Sequence, residues 1–278
     1  MNAISASEER ARKLHERYAQ LDAYELLRVM IEKEFPGQIA VSSSFGSESV
    51  VVLDMVSRID RETPIIFLDT GKLFDETLTY RERVISQLGL SEVRTVRPQE
   101  SDLERWDTDG NLWQSDADSC CHIRRVLPLD QVLHSFDAWI TGRKGYHGKS
   151  RVSLETIEAV DGKVKINPLT RWSRERVEAT IDARALPRHP LVSRGYASIG
   201  CWPCTRAVAP GEGIRSGRWH GSEKTECGIH RARWANSDGD RPSDRIQQRP
   251  VIPLSLKRDE MTEEDTRERG TTVHSARR

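Results

Sequence analysis

The sequence predicts an α/β protein built on an open, doubly wound and mostly parallel sheet. Apolar runs of strand length alternate along the chain with stretches of helical periodicity, which is the pattern of βαβ units. The run at 64–68 (PIIFL) is apolar throughout, as expected of a strand buried on both faces of a parallel sheet. Polar loops follow the predicted strands after residues 41, 68 and 141. Because ligands bind beyond the carboxyl ends of parallel strands, these loops predict where the functional site lies.

Each element follows from a local pattern. A first helix is predicted over 8–33, where Leu14, Tyr18 and Leu21 recur at helical spacing. Ser173 is placed to cap the last predicted helix. The strands are predicted at 38–41, 64–68, 92–96 and 137–141, with an edge strand around Val164 and Ile166, and the other helices at 50–56, 74–88 and 173–184.

Charge and hydropathy argue against two classes of partner. Lys+Arg and Asp+Glu both number 43, so the chain lacks the basic field expected of a nucleic-acid-binding protein. The longest apolar stretch, around 50–56, is far shorter than the roughly 20 residues that span a membrane. The first residues lack the apolar segment of a signal peptide. We therefore expect a cytosolic protein that binds neither nucleic acid nor membrane; the sequence leaves open whether it forms a homo-oligomer.

Residues 42–49 (SSSFGSES) form a Ser/Gly-rich loop between a predicted strand and a predicted helix. Backbone N–H groups, hydroxyls and the positive end of a helix suit a phosphate or sulfate group. Such loops are also common as plain turns, so the loop alone leaves both interpretations open. It matches neither the Walker pattern GxxxxGK[ST] nor the Rossmann pattern GxGxxG.

The five cysteines fall into two pairs and one single residue. Cys120 and Cys121 are adjacent, and Cys201 and Cys204 form a CxxC sequence. An odd count in a reducing compartment argues against a disulfide framework. Four thiolates suit a zinc ion or an iron–sulfur cluster. Neighbouring side chains diverge, whereas zinc needs four sulfurs about 2.3 Å from one point, so the spacing favours a cluster over zinc. Unrelated buried cysteines are the alternative.

Cys227 remains once the two pairs are assigned. It follows a glycine-containing segment that could carry it into and out of a site, and Lys224 and His230 could favour its thiolate. A spare surface cysteine is the simpler interpretation. Basic residues in loops could neutralise oxyanions by forked hydrogen bonds, although loop arginines are often only solvated; they are Arg143, Lys144, Arg151, Arg215 and Arg218.

Together these motifs resemble the assimilatory sulfonucleotide reductase family, the adenylyl-sulfate (APS) and phosphoadenylyl-sulfate (PAPS) reductases. The resemblance runs from about residue 38 to 230, and the cysteine pairs followed by ECGIH are its most specific part. The matching segments are SSSFGSES at 42–49, LDTGKLFDET at 68–77, CCHIRRVLPL at 120–129, ITGRK at 140–144, INPL at 166–169, LPRHPL at 186–191, GCWPCTR at 200–206, GRW at 217–219 and KTECGIH at 224–230.

The resemblance implies an adenine nucleotide α-hydrolase-like fold and a [4Fe-4S] cluster held by Cys120, Cys121, Cys201 and Cys204. Family members with this cysteine set mostly reduce APS, so APS is the expected substrate. The implied mechanism is attack by Cys227 on the sulfate sulfur, release of AMP, and release of sulfite from the enzyme S-sulfocysteine by thioredoxin or glutaredoxin. The residues implied to bind substrate are Ser43, Ser44, Gly46, Leu68, Gly142, Arg151, Arg215, Arg218 and His230.

The sequence is expected to divide into four parts. Residues 1–37 are predicted to be an N-terminal helical segment, and 38–204 a nucleotide-binding α/β domain with the iron–sulfur site. Residues 205–235 are predicted to be a mobile segment that carries the catalytic cysteine. Residues 236–278 are polar and lack a periodic apolar face, which is typical of disorder.

Two departures from the family pattern are evident. Arg125 stands where many members have lysine, which keeps the charge but brings a larger, forked group. Residues 145–148 (GYHG) also differ from the commoner family loop, which is basic and contains Gln and Ser. This difference puts the role of residues 144–151 in doubt. Three alternatives are left open, in this order: a PAPS reductase, an ATP-dependent adenylating or thiolating enzyme, and a metal-stabilised binding module in which Cys227 is incidental.

Overall fold

The fold is a single six-stranded sheet with helices on both faces. The computed structural model describes residues 5–147, 151, 154–220 and 224–230. The strand order is β3-β2-β1-β4-β6-β5, which reverses direction between β1 and β4. The strands are β1 (Ile39–Ser43), β2 (Ile65–Leu68), β3 (Val93–Val96), β4 (Ala138–Thr141), β5 (Ile157–Val160) and β6 (Lys163–Ile166).

Nine α-helices lie within the described residues, and four of the longer ones begin or end within a few residues of their predicted bounds. Ser173 caps the last helix as predicted, its hydroxyl accepting from the N–H of Arg176. The helices are α1 (Ala6–Tyr18), α2 (Ala23–Val29), α3 (Val50–Ile59), α4 (Asp75–Leu88), α5 (Glu100–Trp106), α6 (Leu112–Ser115), α7 (Ala117–Cys121), α8 (Leu127–Leu133) and α9 (Arg174–Ala183).

The prediction of one continuous helix over 8–33 was wrong, because the structure has two helices there. Asp22 interrupts it, because its carboxylate accepts from the N–H groups of Tyr24 and Glu25 and starts a new helix there. The α2 helix then continues as one π-helical turn, Met30–Glu34. The buried side chains of α1 and α2 belong to the main core beside β1, so these helices cover the sheet rather than extend away from it.

The strand around Val164 and Ile166 was wrongly placed at an edge. It pairs in parallel with β4 on one side and antiparallel with β5 on the other. Asp161 and Gly162 both have positive φ, 52° and 79°, which makes the tight turn of a β-hairpin. The sequence prediction did not include this hairpin, and it therefore lacked β5, which is the edge strand on that side of the sheet.

The reversal of strand order brings the carboxyl ends of β1 and β4 side by side. In their pairing, Ser42 lies opposite Thr141. The serine loop follows β1 and the Gly142–Lys144 segment follows β4, so both polar loops open at one point, as the fold class predicts. The predicted doubly wound α/β fold is therefore confirmed. No helix in the described part of the chain is long and apolar enough to cross a membrane.

Candidate active site

A cleft opens where β1 and β4 end. Its walls are the serine loop, the segment after β4, residues 197–199, and the chain around Arg215–Trp219 and Glu226–His230. The space that it encloses, counted together with its open mouth, is about 860 Å³. We call it the switch-point cleft.

The serine loop has a strained start that shapes this cleft. Phe45 takes a positive φ of 46° and is completely buried, its ring 5.4 Å from that of Phe67. Burying this ring turns the chain so that Ser43, Ser44 and Gly46 line the cleft before α3 begins. The loop therefore directs its polar groups into the cleft, as an anion site requires.

Four buried nitrogens on side chains of the cleft have no hydrogen-bond partner among the residues that the structure describes. They are Nε of Arg125, Arg143 and Arg218, and Nδ1 of His230. Leaving a buried donor unpaired costs about 1–3 kcal/mol, and more for a charged group, so the three guanidinium nitrogens would be stabilised by an acceptor in the cleft. Six basic side chains line the cleft against two carboxylates; the basic ones are Arg125, Arg143, Lys144, Arg151, Arg215 and Arg218. The cleft is therefore built for an anion.

Glu226, one of the two carboxylates, ties the chain beside Cys227 to two arginines. Arg151 donates to it through Nε (2.6 Å) and Nη2 (3.0 Å). Arg215 donates to the Thr225 carbonyl at 3.0 Å and lies 3.4 Å from the Glu226 carboxylate. Burial by itself would raise the pKa of Glu226, but the hydrogen bonds and charge of Arg151 outweigh it and lower the pKa.

Glu48, the other carboxylate, lies at the far side of the cleft in the serine loop. It accepts from Tyr146 Oη at 2.6 Å, and Lys144 Nζ lies 3.0 Å away. His147 Nε2 is 3.1 Å from it. Burial acts to raise the pKa of Glu48, yet the His147 hydrogen bond and the Lys144 charge hold that pKa well below its usual range. Glu48 is thus ionised and fully partnered.

Cys227 lies at the floor of the cleft, 6% exposed. Burial would raise its pKa, but the charge of Arg125 and a hydrogen bond from the Ile229 N–H outweigh burial, and the net pKa is lowered. Behind it, the His230 ring stacks on Trp139 with centroids 6.0 Å apart. Lys165 Nζ donates to the His230 carbonyl at 3.3 Å. These contacts hold Cys227 between the cleft and the sheet.

The other four cysteines line a second, smaller cavity beside the first. Cys120 and Cys121 reach it from α7, and Cys201 and Cys204 from the loop that follows Gly200. The Cys201 Sγ lies 3.3 Å from the Thr70 hydroxyl. Burial raises the pKa of Cys120 to about 12 and also raises the pKa values of Cys121 and Cys204. We call this the cysteine cavity.

The cysteine cavity combines four thiols with basic side chains. Within the described residues, no group of three or more His, Cys, Asp or Glu side chains is placed to hold a metal ion. All four cysteines nevertheless line this one small cavity. Arg125 and Arg218, both with an unpartnered Nε, also line this cavity and could offset the negative charge of thiolate ligands.

A buried ion pair braces the two cysteine pairs against each other. Arg124, next to the cysteine helix, donates to Asp107 through Nε (2.9 Å) and Nη2 (2.6 Å) and to the Thr70 carbonyl at 2.7 Å. Thr70 in turn contacts Cys201. Both members of the ion pair are almost completely buried. The brace therefore fixes α7 relative to the CxxC loop.

Three side chains separate the two cavities and line both of them: Arg125, Arg218 and Trp219. The Arg218 guanidinium lies 4.4 Å from the centre of the Trp219 ring, and its Nη1 donates to the Ile199 carbonyl at 3.3 Å. Arg125 interacts with both Cys121 and Cys227. We call these three residues the shared wall.

The match with known proteins agrees with this geometry. The phosphoadenosine phosphosulfate reductase domain matches residues 38–207, more than half of the chain. The chain belongs to this family. It is 46% identical over 213 residues to an adenosine 5'-phosphosulfate reductase of Mesorhizobium japonicum, covering 77% of this chain and 84% of the relative. It is 44% identical over 221 residues to one from a Chelativorans species, covering 79% and 90%.

A solved structure supports the same family. The crystal structure of PAPS reductase from Candida auris, in a phosphate complex, superposes with a TM-score of 0.61 at 29% identity. It covers 74% of this chain and 100% of that one. Membership in the family makes this chain an oxidoreductase that acts on sulfur groups.

In this sulfonucleotide reductase the predicted site residues gather at the two cavities, with one exception. Gly142 and the residues of the serine loop line the switch-point cleft with Arg151, Arg215, Arg218 and His230. Leu68 packs instead in the apolar cluster with Ala40 and Trp139, and its role stays a prediction. No role was predicted for Glu48, His147 or Glu226, because their contacts join residues that are far apart in the sequence.

Proposed function

We propose that this chain reduces adenylyl sulfate to sulfite and AMP, with Cys227 as nucleophile and thioredoxin as electron donor. The observation that carries the proposal is the set of unpartnered buried nitrogens around Cys227. A phosphosulfate presents oxyanions that accept from such nitrogens, and forked arginine groups match its geometry. The names of the bacterial relatives support the same activity.

The first half-reaction needs a thiolate beside the anion site. The Cys227 sulfur attacks the sulfate sulfur, forming an S–S bond while the bond from that sulfur to the bridging oxygen breaks. The bridging oxygen keeps the electron pair and leaves as part of AMP. Arg151, Arg215 and Arg218 offset the charge of the phosphosulfate, and His230 lies beside the nucleophile. The product on the enzyme is S-sulfocysteine.

The second half-reaction uses a dithiol. A thioredoxin thiolate attacks the Cys227 sulfur, and sulfite leaves with the electron pair of the S–S bond. The second thioredoxin thiol then releases Cys227 as a thiolate. The dithiol becomes a disulfide, which supplies the two electrons. Glutaredoxin could serve in the same way.

We infer that Cys120, Cys121, Cys201 and Cys204 would hold a [4Fe-4S] cluster. The cluster would supply electrostatic and structural support beside the substrate site. The two electrons come from the dithiol. Arg125 and Arg218, which line both cavities, act here by binding and orienting anions. We also propose that the protein works in the cytosol, where thioredoxin is kept reduced.

APS and PAPS differ by one 3′-phosphate, so either could meet the same sulfur chemistry. The bacterial relatives are named APS reductases, whereas the fungal structure is a PAPS reductase. We propose APS, because the complete cysteine set accompanies the APS-reducing members that this chain resembles. A PAPS reductase is the second candidate, favoured by the surplus of basic side chains in the cleft.

The test is sulfite release by anaerobically purified protein, with APS and PAPS compared at equal concentration and thioredoxin as donor. We expect a strong preference for APS, and no sulfite from Cys227→Ser. Iron and acid-labile sulfide, measured on the same samples, are expected at four of each per chain. Equal or reversed preference would replace APS by PAPS, and no sulfite from iron-replete protein would overturn the reductase proposal.

A further inference from the structure

One histidine links the two carboxylate clusters of the cleft. His147 ends the short turn after β4, and its side chain is 10% exposed. Its Nε2 is 3.1 Å from Glu48 in the serine loop, and its Nδ1 is 3.1 Å from Nη1 of Arg151. The ring therefore touches both the serine loop and an arginine of the anion site.

The partners of His147 fix its protonation state. A guanidinium can only donate hydrogen bonds, so Nδ1 must accept from Arg151. A neutral imidazole that accepts at Nδ1 carries its hydrogen on Nε2, which donates to the Glu48 carboxylate. The two contacts thus select the neutral Nε2–H tautomer. Burial acts in the same direction, because it lowers the pKa of His147.

The chain of contacts continues to the nucleophile. Arg151, held on one side by His147, uses Nε and Nη2 to bind the Glu226 carboxylate. Glu226 is the residue directly before Cys227. A displacement of Arg151 would therefore be passed to the backbone of the nucleophile. Glu48, at the opposite end, belongs to the loop that lines the cleft after β1.

We propose that neutral His147 is a positioning residue that holds Arg151 against Glu226 and so aligns Cys227 with the serine loop. This inference deepens the proposed function and rests on it. His147 touches no reacting atom; it acts through Arg151.

The proposal predicts a loss of alignment in acid. Protonated His147 carries a hydrogen on Nδ1, which faces the N–H of Arg151, so two donors and two positive charges meet. The charged groups around the ring act in both senses, since Glu48 favours its positive charge whereas Lys144 and Arg151 oppose it. Because burial and these cations lower its pKa, the loss is expected below about pH 6.5, the ordinary pKa of histidine.

Two amide variants separate the two contacts of the ring. In His147→Asn the side-chain oxygen lies near the position of Nδ1 and can still accept from Arg151. In His147→Gln the amide lies near the position of Nε2 and can still donate to Glu48, but Arg151 loses its acceptor. Both side chains end in a neutral amide and differ by one methylene group, so each variant is the control for the other.

The first measurement is sulfite release from APS as a function of pH. We expect kcat of His147→Gln to fall about tenfold, the loss of one hydrogen bond to a charged group, with little change in KM. His147→Asn should keep kcat within about threefold of the wild type. The ratio of wild-type to His147→Asn kcat should fall as the pH drops from about 7 to 5. Equal kcat for the two variants, or a ratio constant with pH, would overturn the proposal.

The second measurement needs no turnover. Alkylation of Cys227 by iodoacetamide is followed by peptide mass spectrometry in substrate-free protein. We expect His147→Gln to react several-fold faster than His147→Asn at neutral pH, because Arg151 no longer holds Glu226. Equal rates refute the role of His147. If the wild type releases no sulfite, the proposed function fails, and this comparison still decides what His147 does.

Discussion

Gly200 offers a direct test of how the shared wall is packed. A methyl group at this position would overlap the guanidinium of Arg218, with Nη1 only 2.8 Å from the added carbon. Arg218 cannot move away freely, because it lies over Trp219 and donates to the Ile199 carbonyl. Gly200→Ala should therefore displace the Arg218 guanidinium from the switch-point cleft.

The size of the effect follows from the contact that is lost. One hydrogen bond from a charged donor to a substrate oxyanion is worth about 1.5–3 kcal/mol, which corresponds to a loss of about ten- to a hundredfold in kcat/KM. The assay is sulfite release from APS over a range of substrate concentrations. Gly213→Ala is the matched control, since an added methyl there meets nothing within 4 Å. We expect it to leave kcat/KM unchanged.

A double variant separates this effect from disturbance of Cys201, the next residue. If Gly200→Ala acts through Arg218, it should cost little more in a protein that already carries Arg218→Ala, since the overlapping group is gone. The same loss in both backgrounds would show that the change acts through the CxxC loop. Gly200→Ala with kcat/KM within twofold of the wild type would refute the packing argument altogether.

Three further changes test the fold around the site. Asp107→Asn leaves the charge of Arg124 buried without a counter-ion and should lower the free energy of unfolding by about 3–5 kcal/mol in urea denaturation. The control Asp182→Asn, at an exposed ion pair, should lower it by less than about 1 kcal/mol. Equal losses would contradict the role of the buried ion pair as a brace. Burial lowers the pKa of His189 to about 4, so the unfolded chain binds the proton more readily and stability should fall by about 3 kcal/mol as the pH drops from about 6.5 to 4. His189→Asn, which keeps an acceptor for the Leu191 N–H, should flatten that dependence, and an unchanged slope would assign it to other groups. Ser173→Ala removes the cap of α9 and should cost about 1 kcal/mol in the same denaturation assay, and no loss would mean that the cap contributes nothing measurable.

Four strands of the sheet and the serine loop could be predicted with nearly their observed bounds because their signals are local, whereas β5 and the inner position of β6 could not. The apolar run that forms β2 and the polar residues after β1 can be recognised without knowing what they touch. The helices between residues 100 and 133 could not be predicted in the same way. They are short, and α7 depends on a cap from Asp116 rather than on apolar periodicity.

The same limit applies to the site. The resemblance to a family pointed to Arg151, and the structure places it in the cleft. What holds Arg151 there depends on Glu48 and Glu226, which are far from it in the sequence. His147 occupies a loop that departs from the family pattern, so neither periodicity nor resemblance indicated its contacts. Only the folded chain shows that it links them.

The shared wall has a consequence for how oxidation would inactivate this protein. Oxidation of one cysteine in the smaller cavity would disturb Arg125, Arg218 or Trp219, and the same side chains form the anion site. We expect a protein molecule with a damaged cysteine cavity to lose its affinity for the nucleotide at the same time. Such a copy would not compete with intact enzyme for substrate. Separate walls would have allowed inactive copies to sequester it.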